Sequence, residues 1–254
     1  MNGSDLKKEF GDYQTPNQFA ETICSLLYNE LIKTPEVVIE PTSGLGNFIK
    51  AALNTFSTIK KIVGVEINPE YCDECKKRIS DDRLHIVNDN FFTYKIEKYV
   101  GETETLFLGN PPWATNSELN FNLPEKENFK RLSGTDAITG ASNFDICEYI
   151  ILKLIEKSVN KNVAIAMLCK TSVARNVLLE LDRNDVCVDD LRIYNFDSSK
   201  VFGISAPACL LYIKMSTSNS KCRECEVYDI ETPNTISGRI SFQNGKLSNL
   251  DDDV

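Results

Sequence analysis

A short segment that follows an apolar run carries the most specific chemistry in this sequence. The run Thr105–Leu108 leads directly into Gly109-Asn110-Pro111-Pro112-Trp113. Because proline has a fixed φ and no backbone N–H, nearby carbonyl groups are not absorbed by pairing and stay available to a ligand. The amide oxygen of Asn110 and the carbonyl of Pro111 can together accept both hydrogens of a planar amino group. This localises the nitrogen lone pair for attack on a methyl donor.

Trp113 extends this chemistry, because it is the only tryptophan in the chain. Its flat face offers a platform on which a base can stack, a contact worth about 1–3 kcal/mol. Pro-Pro turns with a flanking aromatic also occur in ordinary loops. The strand pattern before the segment favours the functional interpretation.

Two glycines follow the first predicted strand, in the stretch EPTSGLGNF at residues 40–48. Gly44 and Gly46 permit positive φ or close approach of the backbone to a ligand. A turn between a strand and its helix lies at the ligand-binding edge of an open α/β sheet. The stretch is neither a P-loop nor G-x-G-x-x-G. A tight strand–helix turn without a ligand has the same composition, and that alternative stays open here.

Acidic residues end the next two predicted strands. Glu66 comes about twenty residues after the glycines, where it can accept hydrogen bonds from a ribose diol. Asp89 can accept from an adenine amino group, with Phe91 or Phe92 packed against the ring. Each feature alone is also typical of an ordinary polar turn. The spacing of Glu66 from the glycines makes a cofactor that contains a nucleoside the better interpretation.

Alternating strand and helix patterns must position these residues, and they predict a parallel sheet with right-handed crossovers. The first helix is predicted over residues 17–33, with Thr15 as N-cap and Pro16 at the first helical position. Residues 114–142 form a polar connection of a length that is usually functional or disordered. The predicted strands are 37–40, 62–66, 84–87, 105–108, 163–169, 191–196 and 208–215; the further helices start near 47 and at Pro69 or cover 144–158 and 173–181.

The amino-acid composition excludes several classes of function. The 254 residues carry 28 Lys+Arg against 37 Asp+Glu, a net charge of −9, which disfavours a protein that coats nucleic acid by bulk charge. No apolar run reaches the length of a membrane span, and residues 1–10 lack a signal-peptide core, so we expect a cytoplasmic protein. With His85 as the single histidine, a Ser-His-Asp hydrolase is close to excluded.

The nine cysteines are scattered and odd in number, which argues against a disulfide framework. Cys72-x-x-Cys75 and Cys222-x-x-Cys225 together have the composition of a four-thiolate zinc site. The first pair falls on a predicted helix and the second is almost 150 residues away, so we favour no metal.

The ordered segments GDYQTP, EPTSGLGNF, VEINP, NDNFF and GNPPW resemble those of S-adenosylmethionine-dependent amino-methyltransferases, specifically the gamma-type adenine-N6 DNA methyltransferases. The resemblance covers about residues 11–215 and is most specific in GNPPW and Tyr13–Pro16. It implies a Rossmann-like class I methyltransferase fold of the α/β class. Its sheet would have seven strands, mostly parallel with an antiparallel last strand, and helices on both faces. Residues 1–215 would be the catalytic domain.

The resemblance also implies roles for individual residues. Thr15 and Glu40 would lie at the methionine end of S-adenosylmethionine, Glu66 at its ribose, and Asp89 with Phe91 at its adenine. Asn110, Pro111, Pro112 and Trp113 would be catalytic, with Trp113 and Phe202 stacking on the substrate base. Trp113 stands where tyrosine is commoner in the family. The full set of implied cofactor-binding residues is Tyr13, Thr15, Glu40, Thr42, Gly44, Gly46, Glu66, Ile67, Asp89, Phe91, Asn110 and Asp145.

The expected function is therefore methyl transfer to the N6 amino group of adenine in DNA, with the base flipped into the pocket. Residues 216–254 are predicted to be a tail with one or two short strands rather than a full target-recognition domain. We accordingly expect a separate specificity subunit, with a small basic patch at Lys126, Lys130 and Arg131 as the alternative DNA contact. Other open alternatives are a methyltransferase for protein glutamine or an RNA amino group, and a cofactor-binding subunit inactive without its partner.

Overall fold

The computed structural model describes residues 14–101, 103–114 and 145–250. The strands of this part of the chain are β1 (Val37–Glu40), β2 (Lys61–Glu66), β3 (Leu84–Asn88), β4 (Thr105–Gly109), β5 (Val163–Lys170), β6 (Val188–Phe196), β7 (Ala208–Met215), β8 (Glu224–Asp229), β9 (Thr232–Gln243) and β10 (Lys246–Leu250). The α-helices are α1 (Asn17–Glu30), α2 (Asn47–Thr55), α3 (Pro69–Arg78), α4 (Ile146–Ser158), α5 (Thr171–Arg183) and α6 (Ser198–Phe202).

All these strands form one sheet in the order β10-β9-β8-β6-β7-β5-β4-β1-β2-β3. β3, β2, β1, β4 and β5 are parallel, and β7 is antiparallel to both β5 and β6. Strands β1, β4 and β5 are buried along nearly their whole length, as expected for strands covered by helices on both faces. The predicted mostly parallel sheet, with an antiparallel last strand in its seven-stranded part, is confirmed.

The chain reverses its direction of travel across the sheet between β1 and β4. The crossovers from β1 to β3 proceed toward one edge, whereas those after β4 proceed toward the other. Because each crossover is right-handed, this reversal puts α2 and α3 on one face and α4 and α5 on the opposite face. The loops that follow β1 and β4 therefore diverge. The crevice between these two loops is the usual ligand site of such sheets.

The prediction of one or two short strands after residue 215 is wrong. β8 pairs in parallel with β6, and β9 and β10 extend the sheet as an antiparallel hairpin. α5 contacts both strands of that hairpin, and the backbone N–H of Gly245 donates to the Asp182 carboxylate at 2.7 Å. Arg223 adds an ion pair to Asp185 at 3.2 Å. Most of β9 is exposed or half-buried, with only Ile240 and Phe242 buried, so its sequence lacks the apolar run of a core strand.

The predicted N-cap of the first helix is also wrong. Pro16 occupies the N-cap position, with extended ψ, and no side chain caps the helix. Thr15 is instead buried, and its carbonyl accepts a hydrogen bond from the side chain of Asn47 at 2.7 Å. In the described part of the chain, no helix has the length and apolar character needed to cross a membrane.

Candidate active site

The carboxyl ends of β1 and β4 bring two predicted site residues together. Glu40 ends β1, and Gly109 ends β4 immediately before Asn110. A Cβ atom added to Gly109 would lie 3.4 Å from the Cγ of Glu40, so the two strand ends are in contact. Two elements therefore line the same crevice: the turn that contains Gly44 and Gly46, called the glycine turn below, and the Asn110–Trp113 segment.

Hydrogen bonds to residues elsewhere in the chain fix the glycine turn. Gly44 has φ +50°, and its N–H donates to Glu66 Oε2 at 2.7 Å. The N–H of Leu45 donates to Gln14 Oε1 at 3.2 Å. A Cβ on Gly44 would lie 2.7 Å from the same Gln14 oxygen. The residues before α1 thus pack directly on the turn, although Tyr13 itself lies outside the described residues.

Glu66 joins the ends of β1 and β2. Its second oxygen, Oε1, accepts from the N–H of Asn68 at 2.8 Å, and the residue is only 8% exposed. A carboxylate can accept about four hydrogen bonds, so one group can hold backbone donors and also face a ligand hydroxyl. The next residue, Ile67, is 54% exposed, an unusual state for an isoleucine and one that gives an apolar surface beside the carboxylate.

Glu40 is buried, and its Oε2 has no hydrogen-bond partner among the described residues. The hydroxyl oxygens of Thr42 and Ser43 share this property. Burial, together with repulsion by Glu66, holds the pKa of Glu40 well above its usual range, against the lowering effect of the Ile49 N–H. A buried carboxyl group and two buried hydroxyls lacking partners are costly unless a polar or cationic ligand satisfies them.

At the end of β3, Asp89 is exposed and its Oδ1 accepts from the N–H of Asn90 at 2.7 Å. Phe91 is buried and contacts Phe92 edge-on, with 5.5 Å between ring centroids. Asp89 is therefore available at the sheet edge, whereas the ring of Phe91 belongs mainly to the core.

The segment after β4 is bonded to β5. The indole N–H of Trp113 donates to the carbonyl of Leu168 at 3.3 Å, and Trp113 is 6% exposed. Phe202 contacts Trp113 edge-on, with ring centroids 5.4 Å apart. Two stacking contacts around a planar base need about 7 Å between the flanking rings. The predicted sandwich between Trp113 and Phe202 is therefore not preformed, and a base could enter only if the rings separate.

Both carboxylate oxygens of Asp145 are engaged by other residues of the chain. Its Oδ1 caps α4 by accepting from the N–H of Cys147 at 2.9 Å, and its Oδ2 pairs with Lys170 at 3.2 Å. Burial raises the pKa of Asp145, and Lys170 opposes that rise. The preceding Asn143 and Phe144, like Lys126, Lys130 and Arg131, lie outside the described residues.

The two Cys-x-x-Cys pairs lie far apart. Cys72 and Cys75 are on α3 beside β2, whereas Cys225 is on β8, six strands away in the sheet. With about 4.8 Å between strands, the separation is roughly 30 Å. The pairs cannot share one metal ion. The thiol of Cys72 instead donates to the carbonyl of Glu66 at 3.5 Å.

Comparisons with known proteins bear on this geometry. No protein-family model matches the sequence. The type II methyltransferase M.NspV of Nostoc sp. is 39% identical over 97% of this chain and 52% of its own length. A class I S-adenosylmethionine-dependent methyltransferase structure from Listeria monocytogenes superposes with a TM-score of 0.60 at 12% identity, covering 89% of this chain and 68% of that one.

The sequence is thus similar to that of a type II methyltransferase, and the fold is that of the class I methyltransferases. The same fold is seen in the type I restriction-modification methyltransferase subunit of Streptococcus thermophilus, with a TM-score of 0.55 at 13% identity over 86% of this chain and 47% of that one. The predicted class I methyltransferase fold is confirmed. The chain spans about half the length of the Nostoc relative.

The residues around this crevice fit S-adenosylmethionine. We infer that Glu40, with the Thr42 and Ser43 hydroxyls that lack partners among the described residues, holds the charged amino acid end of S-adenosylmethionine. Glu66 would accept from the ribose and Ile67 would pack against the adenine. The hydrogen bonds of Gln14 and Thr15 to this turn were not predicted, because only the folded chain brings residues 14 and 15 against Leu45 and Asn47.

We expect Glu66→Gln to weaken S-adenosylmethionine binding by about 10- to 100-fold, since hydrogen bonds to a charged group contribute about 1.5–3 kcal/mol. The amide keeps one acceptor oxygen for the backbone but loses the charge and part of the acceptor capacity. Isothermal titration measures the affinity. Glu70→Gln, an exposed change on neighbouring α3, is the matched control and should bind normally. Equal affinity in both variants would contradict the role of Glu66.

We expect the stability of the cofactor-free protein to fall as pH rises above the usual carboxyl range. Because the pKa of Glu40 is raised on folding, its contribution is fully present below the unfolded pKa and is lost as pH rises through the folded pKa. Urea denaturation from pH 5 to 9 measures this slope. Glu40→Gln should flatten it while weakening cofactor binding, and an unchanged slope in that variant would refute the assignment.

Proposed function

We propose that this protein transfers a methyl group from S-adenosylmethionine to the N6 amino group of adenine in DNA. The carrying observation is the position of the Asn110–Trp113 segment, which follows Gly109 at the carboxyl end of β4, where Gly109 lies against Glu40. Side-chain and backbone acceptors in a proline-restricted loop suit a planar amino group. The type II methyltransferase of Nostoc supports a role in modification of DNA, as in restriction-modification systems.

In the proposed reaction the cofactor supplies an electrophilic methyl group on its sulfonium. Asn110 Oδ1 and the Pro111 carbonyl accept the two amino hydrogens and aim the nitrogen lone pair into the crevice. The fixed φ angles of Pro111 and Pro112 maintain that direction without cost at the moment of reaction. The nitrogen loses its proton to solvent after transfer, when it has become acidic, so the chain needs no general base.

The target base must leave the duplex to reach this segment. We propose that it stacks on Trp113 after Phe202 moves away from its edge-on contact. Phe202 ends the short helix α6, and Gly203 follows it at φ +70° with open space around it. A displacement of this helix end would open the required width.

DNA binding and recognition of the target sequence require surfaces other than the crevice. With a net charge of −9, the chain has little bulk attraction for DNA. We propose that groove reading belongs to a separate specificity subunit or to a local basic patch. Residues 1–215 would supply catalysis. The type I restriction-modification subunit of Streptococcus thermophilus has the same fold and supports an assembly of this kind.

Transfer of a labelled methyl group to four substrates tests the proposal: duplex DNA, DNA lacking unmethylated adenine, RNA, and a protein with an accessible glutamine. We expect label in N6-methyladenine from the first substrate alone, identified after digestion to nucleosides. Label in cytosine, RNA or protein would overturn it. Absence of transfer to any of them despite tight cofactor binding would favour the partner-dependent subunit, and addition of candidate specificity subunits would then restore activity.

A further inference from the structure

The Asn110–Trp113 segment lacks regular secondary structure, so other contacts must fix its position. Pairing between β4 and β5 ends at Gly109 and Met167. Beyond that point Pro111 and Pro112 cannot donate backbone hydrogen bonds to β5. The indole N–H of Trp113 supplies a donor instead, to the carbonyl of Leu168.

A second contact fixes the other end of the segment. The carbonyl of Ala114, directly after Trp113, accepts from the N–H of Ile146 at 3.0 Å. Ile146 is the first residue of α4, and Asp145 caps that helix. The segment is thus bonded on one side to β5 and on the other side to the start of α4.

One ion pair connects those two supports. Lys170 lies at the junction of β5 and α5, two residues after Leu168, and its Nζ is 3.2 Å from Asp145 Oδ2. Their side chains are 30% and 14% exposed, so the pair is shielded more than a surface ion pair. Three contacts therefore form a closed ring through three short stretches of chain: Trp113–Leu168, Lys170–Asp145 and Ile146–Ala114.

We propose that the Lys170–Asp145 pair is a clamp that positions the Asn110–Trp113 segment for methyl transfer. This inference rests on the proposed function, in which Asn110 and Pro111 orient the amino group. It also gives Asp145 a positioning role in place of direct contact with the cofactor. Lys170 acts through the segment and does not touch the reacting atoms.

Lys170→Met tests the clamp, because it keeps most of the side-chain stem and removes the charge. We expect kcat to fall by about 10- to 100-fold, the size of effect that small misplacements cause, with cofactor affinity within twofold of wild type. Trp113 is the only tryptophan, so its emission reports on the segment alone. The emission should shift to longer wavelength, and acrylamide should quench it more strongly.

Three further variants separate positioning from general stability. Lys170→Arg should restore kcat and emission, because it keeps the charge. Asp145→Asn keeps the capping oxygen but removes the charge, and combining it with Lys170→Met should cost no more than either change alone. Lys214→Met breaks a comparably buried pair between β7 and Glu104, beside the amino ends of β4 and β5, and should leave Trp113 emission unchanged.

The clamp is overturned by unchanged emission in Lys170→Met, by additive effects of the two single changes, or by an equal emission shift in Lys214→Met. Loss of cofactor affinity in Asp145→Asn would instead make Asp145 a cofactor ligand and would also overturn it. The emission measurements need no methyl acceptor. Transfer of the label to cytosine, RNA or protein would therefore refute the proposed function while leaving the clamp separately testable.

Discussion

Asn110→Ala is expected to lower kcat for methyl transfer by about 100- to 1000-fold, the usual effect of removing one preorganised electrostatic partner from an active site. The variant loses the side-chain oxygen that accepts from the amino group, whereas the carbonyl of Pro111 remains. Cofactor affinity should change little, because Glu40, Glu66 and the glycine turn are untouched. Single-turnover transfer of a labelled methyl group, together with isothermal titration of the cofactor, measures both quantities.

Asn110→Asp provides the control for this prediction. The carboxylate keeps an acceptor oxygen at nearly the same position, so a part of the activity lost in Asn110→Ala should return. Equal inactivity of both variants with normal cofactor binding would indicate that the amide N–H₂, and not its oxygen, matters. Robust methylation by Asn110→Ala would remove the basis of the proposed function.

Gly46→Ala is expected to lower the free energy of unfolding by about 3 kcal/mol, from strain in the left-handed region and from overpacking. Gly46 is the N-cap of α2 with φ +79°, and an added Cβ would overlap the Sγ of Cys75. Cys75 is fully buried on α3, so its sulfur has little room to move. Urea denaturation measures the loss.

Two companion variants separate the strain from the overlap. Gly245→Ala has a similar φ of +69° but open space around it, and it should lose only about 1 kcal/mol. Gly46→Ala combined with Cys75→Ala removes the sulfur and should recover part of the loss relative to Gly46→Ala alone. If Gly46→Ala and Gly245→Ala were equally mild, the proposed close packing of α3 on the glycine turn would be wrong.

The sheet and the crevice were largely predictable from local patterns. Strands β1, β4 and β5 are continuous apolar runs, and residues that could bind a ligand follow directly after β1 and β4. The start of α3 was predictable for the same reason, because Asn68 and Pro69 form a strong local signal. Such signals depend only on residues that are neighbours in the chain, so they can be recognised without knowledge of the fold.

Features that depend on distant residues were not predictable. Thr15 has the composition of an N-cap, yet its carbonyl is used by Asn47, 32 residues later. Trp113 and Phe202 suggested a ready platform on each side of a base, yet the two rings contact each other. Asp145 suggested a cofactor ligand, yet its two oxygens are used by Cys147 and Lys170. In each case a competing partner comes from elsewhere in the fold.

The hairpin of β9 and β10 has a thermodynamic consequence. β8 covers the edge of β6, and the hairpin is attached to α5 through Gly245 and Asp182. These strands therefore belong to the same cooperative unit as the crevice, and the described chain should melt in one calorimetric transition. A fragment cut after residue 215 would uncover the β6 edge and invite intermolecular pairing. The last strands thus contribute to the thermal stability of the sheet that carries the crevice.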